Sequence, residues 1–166
     1  MTEPVKIPDA AHARAFRDAL GSFTTGVTLV TTTTPEGPLG FVANSFASVS
    51  LEPPLVLWSP ARASARFAPF RDAAHYAIHI LALEQFDLID RFRRGGAGFA
   101  GLEHAVNPEG VPVLDTALAR FECRQSAAHD GGDHLIIVGA VLRFCERDGA
   151  PLVFNRGAYG GFAHAG

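Results

Sequence analysis

The chain has 166 residues, 48% hydrophobic and 19% charged, with a mean hydropathy of +0.15. That excludes disordered, collagen-like and coiled-coil chains. The formal net charge of -3 provides no basic field for a nucleic-acid backbone, and no apolar run approaches the roughly 20 residues of a membrane helix.

The N-terminus carries Glu3, Pro4, Lys6 and Pro8 and has no apolar signal core, which predicts a cytoplasmic protein. Asp9 is placed to cap a short amphipathic helix from Ala10 to Leu20 that ends at Gly21, with Phe16, Leu20 and Phe23 in one apolar stripe. Thr25 to Thr34 is β-branched almost throughout and stops at Pro35-Glu36-Gly37-Pro38, a strong turn signal. A second strand is expected from Leu39 to Val49, making a hairpin with the first. After Leu51-Glu52-Pro53-Pro54 breaks the chain, a short buried strand runs from Leu55 to Trp58, and Ser64 to Arg71 suits one or two helical turns. Tyr76, Ile78 and Ile80 alternate with His75, Ala77 and His79 as in a half-buried strand.

From Glu84 to Arg94, Phe86, Leu88, Ile89 and Phe92 recur at helical spacing before Gly95-Gly96. A glycine-rich loop and Val111-Pro112-Val113-Leu114 follow. Leu118 to Gln125 alternates as a strand, Asp130-Gly131-Gly132-Asp133 supplies a turn, and His134 to Phe144 is apolar on both faces as in a central strand. Asp148-Gly149 leads into Leu152-Val153-Phe154. About seven short strands with two or three brief helices predict a mainly β chain, a small antiparallel barrel with helical decoration. Strand follows strand too directly for a doubly wound sheet. One domain over residues 1–166 is expected.

A charged fraction below the roughly 25% of average chains leaves surplus apolar area for an oligomer contact or a large flat cofactor. Thirteen of the 14 basic residues are arginines, which suits bidentate recognition of phosphate or carboxylate, although a high-GC genome gives the same bias. Cys123 and Cys145 are too few for a disulfide framework or a four-thiolate zinc site, and both read as buried free thiols.

Gly96-Ala97-Gly98-Phe99-Ala100-Gly101 is a literal G-x-G-x-x-G, but it follows a helix where a dinucleotide fingerprint follows a strand. It reads as a loop. His129-Asp130-Gly131-Gly132-Asp133-His134 gathers imidazoles and carboxylates, which suits a metal site, a turn with one functional histidine, or a plain turn. No comparable ligand pair supports the metal, and none is expected. His75 and His79 share a strand face and read as a structural pair. Ser45, Ser59 and Ser64 lack a nucleophile-elbow context. Ser59-Pro60-Ala61-Arg62-Ala63-Ser64-Ala65-Arg66 is equally a phosphate-holding loop and an ordinary capped helix start with exposed arginines.

The order of motifs resembles the flavin reductase family with an FMN-binding split barrel. The resemblance rests on Phe16 through Thr28, on Gly40-Phe41-x-x-Asn44-Ser45-Phe46-Ala47 with Ser50 through Leu57, and on Arg91-Phe92 leading to Phe99-Ala100-Gly101. His129 through His134 and Pro151-Leu152-x-Phe154-x-Arg156-Gly157-x-Tyr159 complete it, so that it covers about residues 14 to 161. It is most similar to the reductase components of two-component flavin monooxygenases, such as those serving phenol, 4-hydroxyphenylacetate and secosteroid hydroxylases.

This resemblance implies an antiparallel Greek-key split barrel that transfers hydride from NADH or NADPH to FMN or FAD and supplies reduced flavin to an oxygenase. It implies a homodimer with flavin sites near the interface. Flavin contacts are implied for the strand carrying Gly40, Phe41, Val42, Asn44 and Ser45, with phosphate contacts from Ser59, Arg62, Ser64 and Arg66. Phe99 and Ala100 are implied beside the flavin, His134 as the residue positioning the nicotinamide, and Arg156 with Tyr159 along the nicotinamide site. Trp58 stands where many relatives carry a smaller residue. Two other readings use the same fold: a flavoprotein that reduces its own corrin or quinone substrate, and a non-catalytic flavin-binding protein.

Overall fold

The computed structural model describes residues 4–164. Helix α1 (Ala13–Leu20) precedes strands β1 (Thr25–Gly26), β2 (Thr28–Thr34), β3 (Gly37–Ala43), β4 (Ala47–Leu51) and β5 (Pro54–Trp58). Helix α2 (Phe67–Asp72), β6 (His75–Ile80), a 3₁₀ turn at Leu83–Gln85 and helix α3 (Asp87–Arg93) come next. Strands β7 (Ala105–Val106), β8 (Pro112–Val113), β9 (Ala119–Gly131), β10 (His134–Glu146), β11 (Leu152–Asn155) and β12 (Ala158–Gly161) complete the chain.

Seven strands form one antiparallel sheet in the order β3-β2-β6-β9-β10-β5-β4. Strand β11 pairs with β1 and β12 in a second sheet. Side chains alternate across a strand, so neighbours in sequence enter different cores. In β2, Leu29 packs with Leu81, Leu88, Ile89, Phe92, Phe99 and Leu152. Its neighbour Val30 packs with Trp58, Phe70, Tyr76, Ile78 and Ile137. The sheet around β2 and β6 is therefore buried on both faces, one of them roofed by α3 and β11.

Trp58 is fully buried, with edge-on contacts to Phe41 at 5.6 Å and Phe70 at 5.3 Å. Room for this aromatic cluster comes partly from Gly139, where an added Cβ would stand 2.3 Å from the Tyr76 hydroxyl.

Several sequence expectations are corrected. The run Leu39 to Val49 is two strands, β3 and β4, on opposite edges of the sheet. The break falls at Ser45, whose hydroxyl donates to the Ser59 carbonyl at 3.2 Å and accepts the Ser59 N–H at 2.9 Å. The first helix starts at Ala13; Asp9 instead closes the preceding turn by accepting the His12 N–H at 3.0 Å. Its apolar stripe is exposed, with no α1 residue buried. The helix expected from Glu84 to Arg94 is divided into the 3₁₀ turn and α3, and Phe86 between them is half exposed. Cys123 is buried, and burial pushes its thiol up to about 12, but Cys145 is exposed. There β10 has outrun β5, which pairs only with Ile137 through Ala140.

Candidate flavin and nicotinamide site

The β9–β10 hairpin closes on two residues, Gly132 and Asp133, between the paired Gly131 and His134. Gly132 has φ +73° at the first central position, the place that a type II′ turn reserves for glycine. The Asp-Gly-Gly-Asp string is thus turn chemistry that delivers His134 at the head of β10. The His134 Nδ1 lies 2.7 Å from the Asp133 carboxylate. This contact holds the Asp133 carboxyl below its ordinary range. An ionised carboxylate only accepts, so Nδ1 carries the hydrogen and Nε2 is left for a ligand. Among the described residues no group of three or more His, Cys, Asp or Glu is placed to hold a metal ion.

The loop from Ser59 to Arg66 packs against this hairpin. Ala61 bridges to His134, the Arg62 N–H donates to the Asp133 carbonyl at 2.8 Å, and the Leu135 N–H donates to the Pro60 carbonyl at 3.1 Å. The Arg62 side chain turns to the hairpin too, with Nε donating to the Gly132 carbonyl at 3.0 Å and Nη2 to Asp130 at 2.5 Å. Ser64 accepts the Arg66 N–H at 3.2 Å.

Arg66 runs the other way. Its Nη1 donates to the Phe92 carbonyl at 2.8 Å and the Gly40 carbonyl at 3.1 Å, and its guanidinium lies 4.5 Å from the Phe41 ring centre. Partial burial draws its pKa below the ordinary arginine value. Arg66 therefore caps the end of α3, using donors that the sequence reading assigned to phosphate.

Val42, Asn44 and Tyr159 meet around a cleft of about 140 Å³, with Val27, Ala43 and Phe154 as the other walls. Tyr159 is fixed by Phe154 and Phe86, at 5.0 and 5.6 Å between ring centres. Beside the cleft, Arg156 and Gly157 form the β11–β12 turn with φ +47° and +84°. Positive φ at both central residues is the type I′ pattern, and Arg156 is the one non-glycine residue with positive φ among the described residues. Its guanidinium donates to the Ser22 hydroxyl at 2.7 Å.

Two expected ligand side chains, Phe41 and Phe99, and the backbone of Gly40 are committed to packing. The Phe41 ring lies with Trp58 and Phe70 because position 41 faces the barrel interior. Phe99 is buried, edge-on to Phe92 at 5.0 Å, so its ring belongs to the core, while Ala100 and Gly101 after it are exposed. Gly40 is buried and donates its N–H to the Gly96 carbonyl at 2.9 Å.

Two further residues shape the site: Asp130, the partner of Arg62, and Arg91, whose Nη1 donates to the Gly98 and Ala100 carbonyls. The Arg91-Phe92 pair was a visible signal for the second, but nothing local marked the first.

Split-barrel topology and this loop–hairpin pairing define a class, and the comparisons agree. Residues 20–163 match the family described as "Flavin reductase like domain", and the chain belongs to that family. It is 59% identical over 161 residues to FMN reductase (NADH) SmoA of Agrobacterium fabrum, covering 97% of this chain and 92% of that one. Against the flavin-dependent monooxygenase reductase subunit HsaB of Rhodococcus jostii it is 41% identical over 155 residues, covering 92% and 80%. The solved structure of Streptomyces globisporus NADH:FAD oxidoreductase SgcE6 in complex with NAD and FAD fragments superposes with a TM-score of 0.87 at 30% identity, covering 96% and 98%.

Proposed function

We propose that the protein is an NAD(P)H:flavin oxidoreductase, which reduces FMN or FAD for a partner oxygenase. One observation carries the reading: three candidate seats are joined by direct contacts. The strand end at Asn44 and Ser45 is bonded to Ser59, the Ser59–Arg66 loop follows, and Ala61 of that loop bridges to His134. The donor set fits the group. Val42 and Tyr159 are apolar walls for a ring edge, Asn44 is exposed to meet its mixed polar edge, and the Ser64 loop suits phosphate.

When bound, the flavin supplies the acceptor for the hydride of the reduced nicotinamide. The chain orients the two partners and excludes water. Asn44 and the cleft walls hold the ring edge, and the Ser59–Arg66 loop holds the phosphate end through Ser59, Arg62 and Ser64, with Arg66 fixing the loop to α3. His134, steadied by Asp133, meets the nicotinamide, with Arg156 and Tyr159 along the same side. Orientation of this kind contributes roughly 7–11 kcal/mol, and no acid–base dyad is required.

At about 140 Å³ the cleft is smaller than the roughly 300 Å³ at which enclosed ligand sites begin. One chain's cleft is therefore too small for more than the edge of a flavin ring. A second copy of the chain completes the site. The exposed apolar faces of Phe16, Leu20, Phe23 and Leu51 supply the area for such a homodimer. No helix among the described residues is long and apolar enough to cross a membrane. We place the reaction in the cytoplasm, where reduced nicotinamides are available.

The test is steady-state oxidation of NADH and NADPH with FMN, FAD and riboflavin. Flavin-dependent loss of absorbance at the reduced-nicotinamide band is expected, and no turnover with any pair would overturn the reading.

A further inference from the structure

We propose that Asp130 and Arg62 form a latch that positions His134, resting on the reading of His134 as the residue that meets the nicotinamide. Strand β6 pairs with β9 only from Ala119 to Arg124, and β5 pairs with β10 only from Ile137 to Ala140. Beyond those limits the hairpin is a two-stranded arm, which is marginal on its own in water. At its end stands a glycine turn, and His134 is the first residue after it. Any change in the twist of the arm therefore moves the His134 ring.

Leu135 packs into the core beside Trp58 and Ile137, and the polar contacts on the arm come from the Ser59–Arg66 loop and differ in kind. The Arg62 N–H, the Pro60 carbonyl and the Ala61 bridge touch only the Asp133–Leu135 side. The Arg62 guanidinium alone spans the turn, with Nε on the Gly132 carbonyl and Nη2 on Asp130 of the opposite strand. This is a forked contact with two fixed donors, which lysine cannot reproduce. Arg62 therefore acts as a positioning residue through the hairpin, and Asp130 is the anchor that aims it.

The experiment compares Asp130→Asn, Arg62→Lys, their double variant and His134→Ala with the unmodified protein. It measures KM and kcat for NADH, FMN binding by flavin fluorescence, and amide exchange of the flavin-free protein by mass spectrometry. Asp130→Asn and Arg62→Lys should each raise the NADH KM by about fivefold, the upper range for an exposed ion pair, and Asp130→Asn, which leaves the phosphate loop intact, should hold FMN binding within roughly twofold. The double variant should be no worse than Arg62→Lys alone, since losing the fork already removes the contact to Asp130. Exchange should quicken in residues 129–136 and not in β6.

Two results overturn the latch while His134→Ala still impairs NADH use. One is unchanged NADH kinetics and exchange in Asp130→Asn. The other is tighter FMN binding in that variant with riboflavin unaffected, which would make Asp130 a competitor of phosphate for Arg62. Failure of the underlying reading looks different: His134→Ala itself would leave NADH kinetics unchanged, which removes the role of His134 and the proposal with it.

Discussion

Gly40 sits so close to Phe92 that a Cβ built on it would lie 2.4 Å from the ring Cδ1 and 2.6 Å from Cε1. Here α3 rests on β3, and the missing side chain lets the ring reach the sheet. Backbone conformation is not the reason, since Gly40 is absent from the positive-φ residues. Gly40→Ala should destabilise the protein by about 1–3 kcal/mol, the usual cost of overpacking. A chain of this length should then melt lower by roughly 2–4 °C for each kcal/mol. Pairing it with Phe92→Leu should recover part of the loss, a non-additivity that thermal or urea unfolding measures directly.

That contact marks how far the sequence was legible. The β2–β3 hairpin was plain because eight of the ten residues from Thr25 to Thr34 are β-branched and lead into Pro35-Glu36-Gly37, and both signals are local. The break between β3 and β4 was not plain, because it depends on the hydroxyl of Ser45 meeting Ser59 fourteen residues away. The loop from Ser59 to Arg66 stood out by its hydroxyls and guanidiniums. Their destinations did not, since Asp130 and Phe92 reach them only after β9 and α3 have packed. Phe41 and Phe99 were matched to a ligand by resemblance, while strand alternation and the α3 contact commit both rings to the core. Family order marked the region, and packing decided which atoms face outward.

His79 bridges two segments from inside the core. Its Nδ1 stands 2.9 Å from the Leu29 carbonyl, and its Nε2 accepts the Leu114 N–H at 3.0 Å. The ring is thus held neutral, with its hydrogen on Nδ1. Burial lowers its pKa to about 4. In the unfolded chain it titrates near the ordinary value of about 6.5. Below that pH the unfolded chain takes up a proton that the folded one refuses, so stability falls as pH drops from about 6.5 to about 4. The loss from this group levels off near roughly 3 kcal/mol. Urea midpoints across that range should slope downward in the unmodified protein. His79→Gln should be less stable at neutral pH yet show a flatter slope; an equal slope would remove His79 as the source.

Arg66 donates to carbonyls at the end of α3 and on β3. Arg66→Gln should leave the Phe92 and Gly40 carbonyls short of donors and remove the stacking on Phe41, costing about 2–3 kcal/mol. Its kinetic signature separates the two roles open to it. As a cap alone, the variant should lower the thermal midpoint and leave the ratio of KM values for FMN and riboflavin unchanged. Loss of discrimination between the two flavins would return Arg66 to the phosphate.

Arg156 holds a backbone conformation that costs a side chain roughly 1–2 kcal/mol and glycine almost nothing. Arg156→Gly removes that strain along with the hydrogen bond to Ser22, an exposed contact worth about 1 kcal/mol or less. The balance favours the variant, and its thermal midpoint should stay level or rise by a few degrees, roughly 2–4 °C per kcal/mol. Because the turn borders the proposed nicotinamide side, the same variant should use NADH less well, with a higher KM and intact flavin binding. A stabler protein with poorer NADH use is what strain retained for ligand contact predicts. Improved stability with unchanged NADH kinetics would instead assign Arg156 only to the turn.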